Sequence, residues 1–328
     1  MTRKKKITLI VVISLIVALL AAVLIYYFGE TFPVYTNIRK SEFKIPGLKD
    51  GFVPQGFEYD ENSNSYFISG YMADNSASRI YVLEQGKENC PKYVTITFDG
   101  QDLKGHFGGV TTNNDNVWVA GDGDVYRINK SNILNATCGD KIASIDHFKS
   151  GNGADSITIH NNHLWVGEFH LDEKYDTDTS HHIEVKAGET NKAVAYAFEL
   201  SETGTYGIAS TTPVFGLSLP DKAQGFTFTD DGKIVVSTSY SIPKSHIYVY
   251  ENVLESANTT TATIDSHELT IYKCSSDNLV KDIVAPAMSE EVIFKDNRIF
   301  ILYESACKKY NFVNRTRLTE VHSITIEE

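Results

Sequence analysis

The sequence lacks the short motifs that mark many enzyme active sites. It contains no Gly-x-Ser-x-Gly turn of serine hydrolases, no glycine-rich phosphate loop and no His-Glu-x-x-His zinc motif. Cysteine is also scarce: the four residues are Cys90, Cys138, Cys274 and Cys307, and no two have the spacing of a metal-binding pair. These absences argue against serine-based acyl transfer and against a cysteine-held zinc ion.

Positive charge is scarce over most of the chain. There are 30 Lys and Arg residues against 42 Asp and Glu, and four of the basic residues lie within residues 3–6. The remainder therefore carries a net charge of −16. A surface this acidic disfavours nucleic acid and anionic lipid as partners, and favours small polar ligands or cations.

Long apolar runs are absent with one exception, residues 7–28, which carry no charge. These 22 residues would form a helix of roughly 33 Å, enough to cross a bilayer. A cleaved signal peptide is the alternative, but its apolar core would be shorter. We predict a cytoplasmic basic tail at 1–6, a transmembrane signal-anchor helix at 7–28, a linker at 29–40 and an exported domain at 41–328. The protein would be a single-pass membrane protein with this domain outside the cytoplasm.

Helical periodicity is almost absent after residue 28, and short runs rich in β-branched and aromatic residues replace it. A hairpin with an Asn-, Asp- or Gly-rich turn recurs five times. Its first strand begins near Gln55, Gly108, Asp155, Gln224 and Glu290. A third strand follows each hairpin. Fourth strands are predicted in four copies, at 93–98, 142–148, 214–219 and 269–274.

The fifth copy lacks its fourth strand, and residues 321–326 at the end of the chain resemble a third strand. The missing strand matches residues 41–45, just before the first copy. A β-propeller closes its ring in this way, with a last blade built from both termini. We therefore predict an all-β fold: a five-bladed β-propeller closed by an N-terminal strand and preceded by a single transmembrane helix. The third blade carries an insertion at 172–189. A pair of β-sandwiches is the alternative, but it does not predict the split blade.

Ligands of propellers are expected where loops converge around the central channel. We call the face where first strands begin and second strands end the top face, and the depression at its centre the funnel. Because a fourth strand starts at the opposite, bottom face, we expect the bottom to face the membrane within about 40 Å, the length of an extended linker. The repeat places these residues in the funnel: Gln55, Tyr71, His106, Asp122, Asp155, Glu168, His170, Gln224, Tyr240, Glu290, Glu291 and Glu304.

Carboxylates that meet around one axis repel each other unless they are protonated or bridged by a cation. In one interpretation Asp155 and Glu168, with Glu291 or Glu290 and the amide oxygens of Gln55 or Gln224, bind Ca²⁺, the predicted cofactor, which polarises a substrate. In the other, Asp155, Glu168 or Glu291 acts as a general acid or base, and the remaining funnel residues bind the ligand. Structural roles are the alternative, such as amide hydrogen bonds from Gln55 and Gln224 that tie neighbouring blades together.

The cysteines allow two disulfide bonds in an exported domain. Cys274 ends a predicted fourth strand and Cys307 lies in the top loop of the next blade, so these two are one predicted pair. Cys90 and Cys138 both precede fourth strands and form the other.

Two segments resemble the plant-type glutaminyl cyclases. Residues 54–60 are similar to the first-blade signature of that family, and residues 290–294 with 299–302 are similar to its last-blade strand. The resemblance implies a five-bladed, often membrane-tethered propeller that converts N-terminal glutamine to pyroglutamate. The family has a glutamate at the start of the second blade, where this chain has Gly108. The layout also resembles gluconolactonase-like and strictosidine-synthase-like propellers.

The predicted function is a membrane-tethered, extracytoplasmic propeller that binds a small polar or cationic ligand, or a peptide, in an acidic funnel. A Ca-dependent hydrolase and a glutaminyl-cyclase-like enzyme are the catalytic alternatives. A non-catalytic propeller for protein or glycan recognition at the cell surface is the alternative of a different class.

Overall fold

The computed structural model describes residues 3–28, 31–264, 267–312 and 314–326. The chain begins with helix α1 (Arg3–Phe28), whose segment Arg3–Val23 is long and apolar enough to cross a membrane. A signal sequence would have the same properties. Helix α2 (Pro33–Ile38) and strand β1 (Arg39–Lys44) follow within and after the predicted linker.

The remaining strands form five antiparallel four-stranded blades around a central channel, as predicted. The first blade contains β2 (Phe52–Asp60), β3 (Ser65–Met72), β4 (Arg79–Glu84) and β5 (Lys92–Phe98), extended by β6 (Gln101–Asp102). The second contains β7 (Gly109–Thr112), β8 (Asn116–Gly121), β9 (Asp124–Asn129) and, after α3 (Lys130–Asn135) and β10 (Lys141–Ala143), β11 (Asp146–Lys149).

The third and fourth blades carry the additions to the basic plan. The third contains β12 (Ser156–His160), β13 (His163–Gly167), the inserted hairpin of β14 (Ile183–Lys186) and β15 (Glu189–Asn191), β16 (Ala193–Glu199) and β17 (Phe215–Leu219). The fourth contains β18 (Ala223–Phe228), β19 (Ile234–Thr238), β20 (Ser245–Tyr250) and, after the hairpin of β21 (Thr259–Ile264) and β22 (His267–Lys273), β23 (Leu279–Ala285).

The fifth blade is split between the two ends of the chain, as the sequence predicts. It contains β24 (Ser289–Lys295), β25 (Arg298–Tyr303) and β26 (Glu320–Ile324), and β1 pairs antiparallel with β26. Helix α2 is fixed to this blade by Tyr35, which is 1% exposed. The Tyr35 hydroxyl lies 2.7 Å from His322 Nδ1 and accepts a hydrogen bond of 2.8 Å from the Tyr303 hydroxyl.

Two predicted fourth strands were placed incorrectly. Residues 269–274 do not complete the fourth blade, because β22 pairs in parallel with β17 on the outside of the third blade, where Leu269 and Ile271 are buried. The fourth strand of that blade is β23. The predicted strand 142–148 is divided, since β10 pairs with β5 of the first blade and only β11 belongs to the second. Ser144 Oγ bonds to the Arg127 and Asp146 carbonyls at the break.

The first strands pack backbone against backbone around the channel. A Cβ atom added to Gly225 would lie 2.6 Å from the Cα atom of Glu291, and one added to Gly109 would lie 2.5 Å from the Ile157 nitrogen. Glycine is therefore needed where neighbouring first strands approach this closely. Trp118 and Trp165 occupy equivalent positions on the second strands and are fully buried between blades.

All four cysteines are free thiols in the structure, so the two predicted disulfide bonds are not observed. Cys274 is buried in an apolar cluster of the third and fourth blades, whereas Cys307 is buried in a separate cluster of the fourth, fifth and first blades. This separation explains why the first pair does not form. Cys90 and Cys138 are both exposed.

Candidate functional site

A pair of carboxyl groups forms the floor of the funnel on the side of the fifth blade. Glu290 begins the first strand of that blade and Glu304 follows the second, and their side chains are hydrogen-bonded to each other. Gln55 Nε2 donates to Glu304 Oε2 at 3.1 Å and to the Pro54 carbonyl at 2.8 Å. Two carboxyl groups in contact cannot both ionise readily, so this pair retains at least one proton, which the two groups share.

The surroundings of the pair favour its protonated form. Burial raises the pKa of Glu304 to about 8, and the ammonium group of Lys309 opposes that shift. Burial, followed by the charge of Glu304, raises the pKa of Glu290 well above its usual range. Glu290 Oε1 has no hydrogen-bond partner among the described residues, although the side chain is buried. A ligand that donates a hydrogen bond would satisfy this atom.

Aromatic rings and one ammonium group form the adjacent wall. Lys309 Nζ donates to the Tyr71 hydroxyl at 2.7 Å and lies 4.5 Å from the centre of that ring and 5.0 Å from the centre of the Tyr310 ring. The two tyrosine hydroxyls are 3.0 Å apart. The His106 ring packs on Tyr71 with 4.3 Å between ring centres. Burial lowers the pKa of His106, and the charge of Asp122 partly offsets this effect.

Asp155 and Glu168 lie together on the side of the third blade. Asp155 Oδ2 accepts a hydrogen bond of 2.8 Å from the Phe169 N–H, and burial raises the pKa of Asp155 to about 6. Glu168 is already held by protein groups: His181 Nδ1 lies 2.7 Å from its Oε1, which also accepts from the Val194 N–H at 3.1 Å. His181 is itself buried, although it lies in a polar insertion.

Glu291 does not join Asp155 and Glu168, although the sequence groups these three as one catalytic or metal-binding set. Its Oε1 accepts a hydrogen bond of 2.9 Å from the N–H of Phe226, on the first strand of the fourth blade. Burial raises its pKa, and the charge of Glu58 acts in the same direction. Glu58 itself has a pKa raised to about 7 by burial. These two acids therefore lie inside the channel, apart from the funnel.

Tyr240 belongs to an aromatic rim on the fourth-blade side, whereas Gln224 is tied to its own blade. Lys174 Nζ bonds to the Tyr240 hydroxyl and lies 5.0 Å from the centre of that ring. Phe169 packs between Tyr240 and Tyr175, with ring centres 6.2 and 5.7 Å away. Gln224 Nε2 donates to the Ser239 carbonyl at 3.0 Å, which is an intrablade contact.

His170 comes just before the insertion and bonds to two of its residues, Asp172 and Thr177, rather than to other funnel residues. Its imidazole is fully buried, with Nε2 at 3.1 Å from Asp172 Oδ1 and Nδ1 at 3.0 Å from Thr177 Oγ1. A possible metal-binding group is formed by His170, Asp172 and Asp176. Each offers one ligand atom, and these three atoms lie within 4.8 Å of one another; no other such group is found among the described residues. The imidazole differs from the all-oxygen ligands that calcium prefers. Asp172 is also paired with Lys192.

The loop after β25 supplies residues that the sequence analysis missed. Lys309 and Tyr310 lie in this loop, outside the repeated strands, so the repeat alignment gave no position for them. Their only sequence signal is the unusual basic and aromatic content of residues 308–312.

Comparison by sequence identifies no relative, since no family model and no curated protein matches the chain. Comparison of structures finds similar β-propellers. One is the PQQ-bound aldose sugar dehydrogenase of Streptomyces coelicolor, which is 8% identical in sequence and has a TM-score of 0.48. The alignment covers 87% of this chain and 96% of that one. Glutaminyl cyclase of Myxococcus xanthus has 9% identity, coverage of 88% and 97%, and a TM-score of 0.44. The calcium-binding protein regucalcin of Agrobacterium tumefaciens has 9% identity, coverage of 87% and 93%, and a TM-score of 0.41. The strand order of the chain itself makes it a five-bladed β-propeller, and its similarity to these proteins is one of fold.

Proposed function

We propose that this protein is a membrane-anchored, extracytoplasmic propeller that binds a small ligand through an ammonium group in its top funnel. The observation that carries this proposal is the buried Glu290–Glu304 pair, which among the described residues has one unpartnered oxygen at the funnel floor and no cation that would stabilise its ionised form fully. An ammonium group would favour ionisation of the pair and donate to the free oxygen. Apolar N-terminal helix α1 supports the anchoring part of the proposal.

Lys309 supports the choice of an ammonium ligand. Its own ammonium group lies against the Tyr71 and Tyr310 rings and close enough to Glu304 to lower the pKa of that residue. The funnel wall therefore has the electrostatic properties that favour a cation over an aromatic face. Lys309 is exposed, so its side chain can move aside when a ligand enters.

The binding test uses the full chain in lipid nanodiscs and calorimetric titration with short peptides. A peptide with a free N-terminal amine should bind, and the same peptide with an acetylated N-terminus should not. Glu304→Gln should weaken binding because it removes the carboxyl group that would ionise beside a bound ammonium group. Glu202→Gln, an exposed carboxylate outside the funnel, is the control. Equal binding of both peptides would contradict the ammonium assignment and favour protein or glycan recognition instead.

Glutaminyl-cyclase-like catalysis is a second candidate, favoured by the raised pKa of Glu304, about 8. The α-amine of an N-terminal glutamine would attack the side-chain amide carbon and lose a proton to the carboxylate of the pair. The protonated partner would give its proton to the amide nitrogen, which leaves as ammonia. Release of ammonia from a glutaminyl peptide, lost in Glu304→Gln, is the expected result. If the peptide binds but no ammonia is released, the binding proposal stands and the catalytic proposal is wrong.

We also propose a calcium site in the funnel, with fewer protein ligands than the sequence predicts. Burial raises the pKa of Asp155, and the charges of Glu168 and then Asp122 act in the same direction. A Ca²⁺ ion bound to Asp155 would offset this repulsion. Glu168 and Glu291 are already bonded to His181 and to backbone N–H groups, so they are less available as ligands. A calcium-dependent rise in melting temperature that disappears in Asp155→Asn would support this site.

A further inference from the structure

The linker between α1 and the propeller is fixed to the side of the ring. Tyr35 is buried against His322 and Tyr303 of the fifth blade, and α2 contacts β23 of the fourth blade. Just before α2, the Phe32 ring lies 5.2 Å from Lys244 Nζ. Lys244 belongs to residues 239–244, the top loop of the fourth blade. The chain therefore reaches the propeller beside a top loop and then descends through α2 to the start of β1.

Chain length places this part of the propeller close to the end of the anchor helix. Helix α1 ends at Phe28, and four residues further on the chain is held at Phe32. Four residues span at most about 14 Å, compared with about 40 Å for the extended linker expected from sequence. If α1 crosses the bilayer, as the proposed function states, the top loop that carries Lys244 lies near the membrane surface.

Exposed apolar side chains occur on this loop, on α2 and on the top loop of the fifth blade. Phe312, in the top loop 304–319 of the fifth blade, is 85% exposed, and Ile242 and Val34 are 37% and 60% exposed. The two top loops are joined through Met288, whose N–H donates to Ser239 Oγ at 2.9 Å and whose sulfur lies 2.7 Å from Asn314 Nδ2. Three of the seven exposed large apolar side chains described outside α1 thus belong to neighbouring segments. Exposed side chains grouped in this way mark an interaction surface.

The charge of the same loops is opposite to that of the whole domain. Residues 239–244 and 304–319 contain five basic residues and a single acidic one, Glu304, which shares its proton with Glu290. The exported part as a whole carries a net charge of −16. Basic residues beside exposed aromatic and aliphatic side chains are the combination that favours a lipid–water interface. The basic residues are Lys244, Lys308, Lys309, Arg315 and Arg317.

We infer that these two loops, together with the exposed face of α2, rest on the surface of the bilayer that holds α1. We call this surface the membrane-facing edge and define it by Val34, Ile242, Lys244, Lys308, Phe312 and Arg317. The lipid bilayer is its partner, because the four-residue connection from α1 brings this edge to the membrane. The top face then lies next to the membrane, and the funnel opens beside the lipid headgroups.

Tryptophan fluorescence of the full chain in nanodiscs tests this inference. The native Trp118 and Trp165 are buried and give a constant background. Phe312→Trp adds a reporter at the membrane-facing edge. Ile145→Trp is the matched control, because Ile145 is a 51% exposed apolar residue of the second blade, on the opposite side of the ring. With brominated phosphatidylcholine we expect a blue shift and loss of emission for Phe312→Trp and no change for Ile145→Trp.

Three other outcomes would overturn the inference. If both variants keep their full emission in brominated lipid, the edge does not touch the bilayer, although the anchor is intact. If Phe312→Trp is blue-shifted but not quenched, a second copy of the chain or another protein covers the edge instead. A chain that fails to enter the nanodiscs would overturn the anchoring part of the proposed function as well. Native near-ultraviolet circular dichroism of both variants verifies that they are folded.

Discussion

The stability of the protein should depend on pH through the carboxyl pair at the funnel floor. Glu304 has a pKa of about 8 in the folded chain, against an ordinary value of 4.5. Between these pH values the folded state binds more protons at this residue than the unfolded state does. The free energy of unfolding therefore falls as pH rises, with a slope of up to about 1.4 kcal/mol per pH unit.

The variant Glu304→Gln isolates this contribution. Glutamine can still hydrogen-bond to Glu290 and Gln55, but it cannot ionise. Between pH 5 and pH 8 we expect wild type to lose about 2–4 kcal/mol of stability relative to the variant. Other groups largely cancel in this difference. The pKa of Glu58 is raised as well, so this residue also lowers stability as pH rises. Burial lowers the pKa of His322 to about 4, so this residue makes both proteins more stable as pH rises from 4 to 6.5.

Urea denaturation of the full chain in detergent, followed by the fluorescence of the two buried tryptophans, measures the difference at a series of pH values. Glu202→Gln, at an exposed position, should follow the wild-type curve. Parallel pH profiles for wild type and Glu304→Gln would refute the shared-proton interpretation. A wild type that becomes more stable relative to the variant as pH rises would refute it as well, since the sign would then be reversed.

Three further predictions concern other parts of the molecule. Lys130→Met should lower the free energy of unfolding, measured in urea, by about 3–5 kcal/mol. The buried Asp60 carboxylate lies 2.9 Å from Lys130 Nζ and would lose its cation. A loss below about 1 kcal/mol would contradict a tightly buried pair. Gly225→Ala should lower the stability of the protein by about 1–3 kcal/mol, because the new Cβ atom would lie 2.1 Å from Glu291 Oε1. An unchanged melting curve would show that the first strands can move apart to accommodate it. Chelation with EDTA should lower the melting temperature of wild type but not of Asp155→Asn, and equal responses would exclude Asp155 as a calcium ligand.

Local patterns predicted most of the fold, because each blade is built from strands that are neighbours in sequence. The recurrent hairpins and the closing strand at 41–45 could be recognised from alternation and turns alone. The segment 269–274 has the same alternation, but alternation does not say which blade a strand will join. Its pairing with β17 depends on apolar contacts of Leu269 and Ile271 with a distant blade. Such long-range pairing has no local signal.

The site was predicted to the extent that it belongs to the repeat. Equivalent positions on successive first and second strands include Gln55, Glu290 and Glu304, whose side chains are hydrogen-bonded in the structure. Lys309 lies in an irregular loop, which has no equivalent in the other blades. Glu291 is adjacent in sequence to Glu290, but strand alternation directs the two side chains to different surroundings, and only the structure shows which of them faces the funnel.

The position of the linker changes what the anchor implies about the funnel. From sequence, the closing strand begins at the bottom face, and a free linker would leave the funnel directed away from the membrane. Tyr35 removes that freedom because its buried contacts hold α2 against the fifth blade. If α1 crosses the bilayer, the path of the chain past Lys244 would bring a basic, apolar edge of an otherwise acidic domain to the membrane surface. An acidic funnel beside lipid headgroups would meet cationic ligands that concentrate at an anionic surface, whereas a funnel directed away would sample the bulk solution.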